Sequence, residues 1–263
     1  MNRFAEVQDE LRRRPRGWLV TGAAGFIGSH LVETLLGLGQ DVVGMDNLAT
    51  GYRRNLQEAE AGGARGRFRF VEADIRDLDA CRELCQGVDH VLHHAALGSV
   101  PRSLDDPVGV HAVNVTGTLN LFAAAREAGV RRVVYASSSA VYGDSDALPA
   151  REECIGAALS PYAVTKLANE AYAAVFARAY GMPSVGLRYF NVFGPRQDPL
   201  SHYSAVIPRF ITALQEGRAP LIYGTGEQSR DFTYISNIVA ANFLAAEAPG
   251  AAGQVFNVAN GES

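Results

Sequence analysis

The 263-residue chain is short of cysteine and of long apolar runs, and each scarcity closes off a class of protein. Cys81, Cys85 and Cys154 form no CxxC pair and leave an odd count. A disulfide framework or a thiolate zinc site needs paired spacing, so neither is supported and no metal is expected. The i,i+4 pair Cys81 and Cys85 reads instead as packing on a helix. No run approaches the roughly 18 apolar residues of a membrane span. A basic excess is missing too: 24 Lys and Arg stand against 28 Asp and Glu, for a net charge of −4. That balance supports no nucleic acid and no membrane as partner. The one dense basic run, Arg12-Arg13-Arg14 with Arg16, precedes no signal-like apolar stretch and reads as the solvated end of a helix. Repeats and low-complexity linkers are absent. The expectation is a reduced, cytoplasmic chain.

What is present is alternation. GWLVTG (17–22), DVVGMD (41–46), RFRFVEAD (67–74), DHVLHHAA (89–96), RRVVYASSS (131–139) and PSVGLRYFNVFG (183–194) read as strands. Helical stretches separate them, beginning with FIGSHLVETLLGLG (26–39). Short β-branched strands flanked by helices predict an α/β fold, a doubly wound parallel sheet covered on both faces. Beyond Gly194 the alternation loosens. IPRFITALQEG and NIVAANFLAAEA read as helices, with PLIYGTGEQSRDFTY as an irregular loop between them.

TGAAGFIG places Gly22, Gly25 and Gly28 between the first strand and the first helix. Glycines there let the backbone approach a pyrophosphate, and the helix N-terminus supplies N–H groups and positive dipole. The same spacing also serves a turn that merely needs positive φ. Asp46 ends the second strand, where a carboxylate accepts from an adenosine ribose hydroxyl and repels a 2′-phosphate, which selects NAD over NADP. Asp74 and Ile75 end the third strand and suit the adenine edge.

SPYAVTKLANE (160–170) puts Tyr162 and Lys166 on one helical face, four residues apart. An ammonium beside a phenol favours the phenolate. Bringing a phenol from about 10 to near 7 requires about 4 kcal/mol. A unit charge roughly 4.5 Å away at an effective dielectric of about 20 supplies nearly that. The spacing alone also fits a surface pair. Ser137-Ser138-Ser139, however, end the fifth strand, and ligands of open α/β sheets sit beyond strand carboxyl ends. A tyrosine base, its lysine and a serine that orients the oxygen are the parts of carbonyl–alcohol redox chemistry.

TGAAGFIG, Asp46, HHAA, SSSAVYG, SPYAVTK, LRYFNVFGPRQ and SRDFTYI occur in that order over nearly the whole chain. Together they resemble the extended short-chain dehydrogenase/reductase family, and within it the NAD-dependent nucleotide-sugar 4-epimerases. The resemblance implies a Rossmann fold, tightly bound NAD and a UDP-sugar substrate. It casts Tyr162 as the base toward the sugar 4-hydroxyl and Lys166 as its partner and a holder of the nicotinamide ribose. Ser138 would hold O4, with Ser139 beside it. It adds cofactor contacts at Phe26, Ile27, Asn47, Ala95, Ala96, Asn114 and Tyr189, and substrate contacts at Ser99, Asn191, Arg196, Val206, Tyr223 and Arg230. A guanidinium at Arg230 suits a pyrophosphate, although a helix-entry salt bridge would place one there as well. Related 4,6-dehydratases carry an Asp-Glu pair where this chain has Ser139 and Ala140, and decarboxylating relatives keep Glu at the second position. Both chemistries therefore lack their acid here, and simple epimerisation is left.

AALGSVPRSLDDP, the Arg-rich N-terminal extension and RYFNVFGPRQDP are most similar to UDP-N-acetylglucosamine 4-epimerases, small Gly98 and Ser99 leaving room for an N-acetyl group. UDP-glucose and UDP-glucuronate epimerases stay open, as does an NAD-binding module without turnover. The resemblance further implies a homodimer that pairs the alanine-rich helices 114–129 and 162–181. An NAD-binding domain over 1–190, with a helical extension at 1–16, is expected to lead into a mainly substrate-binding region over 191–263. Within that region, 235–258 is expected to return to the sheet. Members of the resembled family continue several dozen residues past FNVANGES, so the smaller C-terminal region is expected to be incomplete here.

Overall fold

The computed structural model describes residues 3–63, 65–198, 206–222 and 224–261. Nine strands lie among the described residues: β1 (Gly17–Thr21), β2 (Asp41–Asp46), β3 (Arg67–Glu72), β4 (His90–His93), β5 (Arg132–Ser138), β6 (Ser184–Tyr189), β7 (Val192–Phe193), β8 (Thr233–Tyr234) and β9 (Gln254–Val258). Seven of them form one sheet, in the order β3-β2-β1-β4-β5-β6-β9, and every neighbouring pair is parallel. The expected doubly wound α/β fold is thus what the chain adopts. Two-residue β7 and β8 pair separately, β7 at the end of the stretch read as the sixth strand and β8 at the end of the one read as irregular. Strands that short carry no periodicity to read.

The helices are α1 (Arg3–Arg13), α2 (Phe26–Gly37), α3 (Arg53–Ala61), α4 (Leu78–Cys85), α5 (Val100–Asp105), α6 (Pro107–His111), α7 (Thr118–Glu127), α8 (Pro161–Tyr180), α9 (Val206–Gln215) and α10 (Ile235–Glu247). Successive strand residues point to opposite faces, and β1 divides accordingly. Trp18 and Val20 enter one core with Leu31, Leu35, Ile238 and Phe243. Leu19 enters the other with Val91, Leu121, Phe122 and Phe176. Each of these side chains is buried, and burying one aliphatic or aromatic group contributes about 1.5–3 kcal/mol.

The N-terminal extension belongs to the first core. Val7 and Leu11 of α1 are buried there, while Arg12 and Arg13 of its last turn stay in solvent as expected. Arg16 departs from that expectation, because it is tucked in and ion-paired with Glu247 at the end of α10. Cys81 and Cys85 pack in the second core, where burial pushes both thiols up to about 12. They are inert packing groups.

Residues 107–127 run as one helical stretch, α6 and α7 joined by a π-helical segment, Ala112–Gly117. By length and composition this stretch could cross a membrane, which reading for uninterrupted apolar runs did not show. Half of its apolar window is buried, and it packs on α4 and α8 as a core helix does.

The order of strands reverses between β1 and β4. In an open α/β sheet that switch point leaves a crevice outside the strand carboxyl ends.

Candidate active site

A cleft of about 1160 Å³ occupies that crevice. Its floor is the turn from β1 into α2. Gly22 has φ of +70°, and a Cβ there would lie 2.7 Å from the Ala95 nitrogen. At Gly28 an added Cβ would lie 2.0 Å from the Gly22 carbonyl oxygen. The tight turn therefore tolerates no side chain at either position. Gly25 starts α2 with no side-chain cap, so the free N–H groups of the first turn point at the cleft. That is a cradle for a pyrophosphate, and the residues present fit a dinucleotide.

Asp46, at the end of β2, is buried at the cleft edge. It accepts from Ala24 N at 3.0 Å and Leu48 N at 2.7 Å. Burial raises its carboxyl, against the pull of those two bonds. The carboxylate thus also ties down the phosphate loop. Asp74 is held down at about 2, mainly by hydrogen bonding from Arg76, with Asn47 donating at 2.7 Å. Ile75, next in the chain, is buried and lines the same cleft.

Over the cleft stands α8. Ser160 caps it by accepting from Ala163 N at 3.1 Å, Pro161 follows at the first turn, and Gly181 closes it in a left-handed conformation. This framing aims Tyr162 and Lys166 at the end of β5. Lys166 Nζ lies 5.8 Å from the Tyr162 ring centroid and donates to the Ala136 carbonyl at 2.8 Å. Ser138 Oγ accepts from Ala140 N at 3.1 Å and faces Tyr162.

The electrostatics differ from the sequence-based expectation. Burial pushes the Tyr162 phenol up, and the influence that pulls it back is the Ser138 hydroxyl rather than the lysine. Burial also lowers the Lys166 amine, to about 8, with Glu170 pulling it upward. The spacing argument placed charge beside phenol correctly but left out the desolvation that both groups undergo together.

Gly22, Gly25, Phe26, Ile27, Gly28, Asp46, Asn47, Asp74, Ile75, Ala95, Ala96, Ser138, Ser139, Tyr162, Lys166, Tyr189, Asn191 and Arg230 all line the one cleft. Val206 lines a smaller adjoining pocket of about 200 Å³, shared with Asn191 and Arg230. Tyr223 lies outside the described residues.

Three expected contacts are engaged elsewhere in this structure. Ser99 caps α5 by accepting from Arg102 N at 3.1 Å. Asn114 is buried between chain segments, accepting from Leu97 N at 2.8 Å and donating to Thr165 Oγ1 at 3.2 Å. Arg196 reaches away from the cleft to Glu33 at 2.9 Å and Glu58 at 3.0 Å, latching its loop to α2 and α3.

Other groups were missed. His94 lines the cleft with Nε2 2.9 Å from Tyr189 Oη, and burial lowers it to about 3. The HHAA motif was its signal. Arg102 lines the cleft as well. Lys166 is the only lysine in the chain, the rest of the 24 Lys and Arg being arginine, a compositional signal that sets this position apart.

Residues 18–259 match the model of the NAD dependent epimerase/dehydratase family. A UDP-glucose 4-epimerase of Mycolicibacterium smegmatis is 44% identical over 245 residues, covering 92% of this chain and 77% of its own. The UDP-N-acetylglucosamine 4-epimerase of Methanobrevibacter ruminantium, solved with UDP-N-acetylmuramic acid, superposes with a TM-score of 0.89 at 42% identity, over 94% of this chain and 77% of that one. A dTDP-glucose 4,6-dehydratase of Streptomyces venezuelae, solved with NAD bound, gives 0.84 at 35% identity, over 92% and 75%.

Proposed function

Because the chain belongs to the NAD dependent epimerase/dehydratase family, we propose that it is an NAD-dependent UDP-sugar 4-epimerase interconverting UDP-N-acetylglucosamine and UDP-N-acetylgalactosamine. The observation that carries the reading is the convergence of Tyr162, Lys166 and Ser138 on the cleft that the phosphate loop opens. Tyr162 takes the proton of the sugar 4-hydroxyl and later returns it. Ser138 donates toward the same oxygen and pulls the buried phenol toward the phenolate, with the Lys166 amine beside the ring. The glycine turn and Asp46 would hold NAD, which would supply the hydride acceptor and donor at C4 of the sugar.

Two observations favour epimerisation over elimination. Ser139 and Ala140, both at the cleft, carry no carboxyl group that could move protons at C5 or C6. For the sugar, an added Cβ at Gly98 would meet nothing within 4 Å, so the wall there leaves space for an N-acetyl group. UDP-glucose is the second reading, favoured by the name of the M. smegmatis relative. The test is proton NMR of purified protein with UDP-N-acetylglucosamine and no added NAD. The galacto anomer is expected to appear. Conversion of UDP-glucose alone would transfer the assignment to that sugar. No conversion of either, with NAD present in the denatured protein, would leave UDP-glucuronate or, if that too is untouched, a binding module.

The reading includes a homodimer. Val164, Tyr172 and Val175 project apolar surface from α8, and Leu104 and Val108 continue it from α5 and α6. A second copy would cover this face. Sedimentation is expected to give a dimer, and Val164→Glu with Val175→Glu should shift it to monomer. A wild-type chain that sediments only as monomer would remove the dimer from the reading.

A further inference from the structure

SPYAVTKLANE ends in Glu170, one turn beyond Lys166, and this carboxylate is the centre of a buried polar network behind the cleft. Its Oε1 accepts from Ser137 Oγ at 2.5 Å and from Arg188 Nε at 2.9 Å, and its Oε2 accepts from Arg188 Nη2 at 2.8 Å. The Glu170 and Arg188 side chains are 10% and 3% exposed. Arg188 Nη1 donates to Tyr142 Oη at 2.9 Å and to the Glu152 carbonyl at 2.9 Å. Tyr142 donates in turn to Asn257 Oδ1 at 2.6 Å. One carboxylate therefore connects α8, β6, the end of β5 and, through Tyr142, β9.

The position is informative because of what lies beside it. Ser137 stands between Ala136, whose carbonyl holds the Lys166 amine, and Ser138, whose hydroxyl faces Tyr162. A buried ion pair is weak evidence for stability, since desolvation offsets most of the attraction. Placed here, it has another use.

We propose that Glu170 is a positioning residue for the reacting pair: it clamps the end of β5 through Ser137 and Arg188 and sets its carboxylate one helical turn from the Lys166 amine. The inference rests on the 4-epimerase reading for its kinetic consequence but not for its electrostatic one. The groups around Lys166 are few. Tyr162 and Glu170 flank it on α8, His93 on β4 and His94 just beyond it face it, and Arg188 lies behind Glu170 on β6. Both histidines are neutral, because burial lowers them, His94 to about 3. Tyr135, the other titratable group beside Glu170, is pushed up by burial and stays a neutral phenol. Glu170 is thus the negative charge available to offset the burial of the amine, and Arg188 orients it.

Lys166 being the only lysine makes the test direct. Untagged protein grown on [13Cε]lysine should give one lysine side-chain NMR signal, whose shift against pH titrates that amine alone. In the NAD-loaded protein, Glu170→Gln removes the charge and keeps the shape. The amine is expected to titrate about one pH unit lower than in wild type. The alkaline limb of the kcat profile should move down by the same amount, with KM nearly unchanged. Ser137→Ala keeps the charge and releases the strand, so it should lower kcat several-fold while leaving the lysine titration within about 0.3 unit. An unmoved titration in Glu170→Gln would overturn the inference, whatever the activity. Should Glu170→Gln not fold, full kcat in Ser137→Ala would overturn the clamp. A wild-type protein inactive on UDP-sugars would sink the functional reading instead, and the NMR titration would still decide the role of Glu170.

Discussion

Tyr162→Phe is expected to lower kcat by about a thousand-fold or more, while bound NAD and the melting temperature stay near wild type. The size follows from removing a general base outright, a change that typically costs 10²–10⁴-fold. The selectivity follows from the structure. Phe keeps the ring where α8 places it, and the cofactor cradle is built from Gly22, Gly25 and Gly28 on another element. Only the oxygen is lost, together with its hydrogen bond to Ser138. Because burial already disfavours the phenolate, the hydroxyl contributes little to folding, and its removal leaves no charged group stranded. Single-turnover assays on the NAD-loaded variant separate the outcomes. More than a tenth of wild-type activity in Tyr162→Phe would mean that another group takes the proton.

The second large effect concerns acid. His90, His93 and His94 lie along β4 and its exit, and burial lowers all three, His90 and His94 to about 3. His90 stacks on Trp18 with ring centroids 4.5 Å apart. Glu247 is 3.5 Å from it and would favour the cation, but Arg16 already holds that carboxylate. His93 is clamped between Thr21 Oγ1 at 2.7 Å and Thr118 Oγ1 at 2.9 Å. Each ring is therefore neutral in the fold and takes up a proton at about 6.5 when unfolded. As pH falls the unfolded chain binds these protons first, so the stability is complete above about 6.5 and lost below it. At pH 5 each fully buried ring contributes a loss of about 2 kcal/mol, and half-buried His94 less, for about 4–6 kcal/mol together. That is a large part of the 5–15 kcal/mol typical of a domain, and lowers the melting temperature by about 10–20 °C. The carboxylates with lowered values, Asp41, Asp74 and Glu127, titrate at lower pH and do not confuse this window. Denaturation at pH 7.5 and 5.0 checks the point, and equal midpoints would show that the rings are charged or hydrated in the fold.

Much of this was legible before any coordinates. Alternation announced six strands of the central sheet, because a strand buried on both faces must be apolar whatever its neighbours are. The glycine turn was legible because its requirement is local: no Cβ fits against a carbonyl 2.0 Å away. Tyr162 and Lys166 were legible because helical spacing is local too. What stayed hidden is long-range. Nothing near Arg196 in sequence says that Glu33 and Glu58 will claim it, and nothing near Asn114 says that Leu97 and Thr165 will. Ser99 is the instructive exception. Ser before Val-Pro-Arg is a helix-start signal, with a capping hydroxyl and a proline in the first turn, so its place in the fold could be read locally beside the ligand contact expected of it. The raised Tyr162 phenol was hidden for another reason, since spacing gives charge proximity but not the water that folding removes.

Lys166 is 4% exposed, lies in the middle of the first half of α8, and is the sole lysine of the chain. A lysine-specific protease consequently has a single peptide bond to attack, in a helix packed against the sheet. That bond becomes available when α8 leaves the sheet, so its rate of cleavage measures the opening of the core and not the fraying of a loop. Two fragments, parted at residue 166, would record each such opening, and a ligand that closes the cleft would be read as the delay before they form.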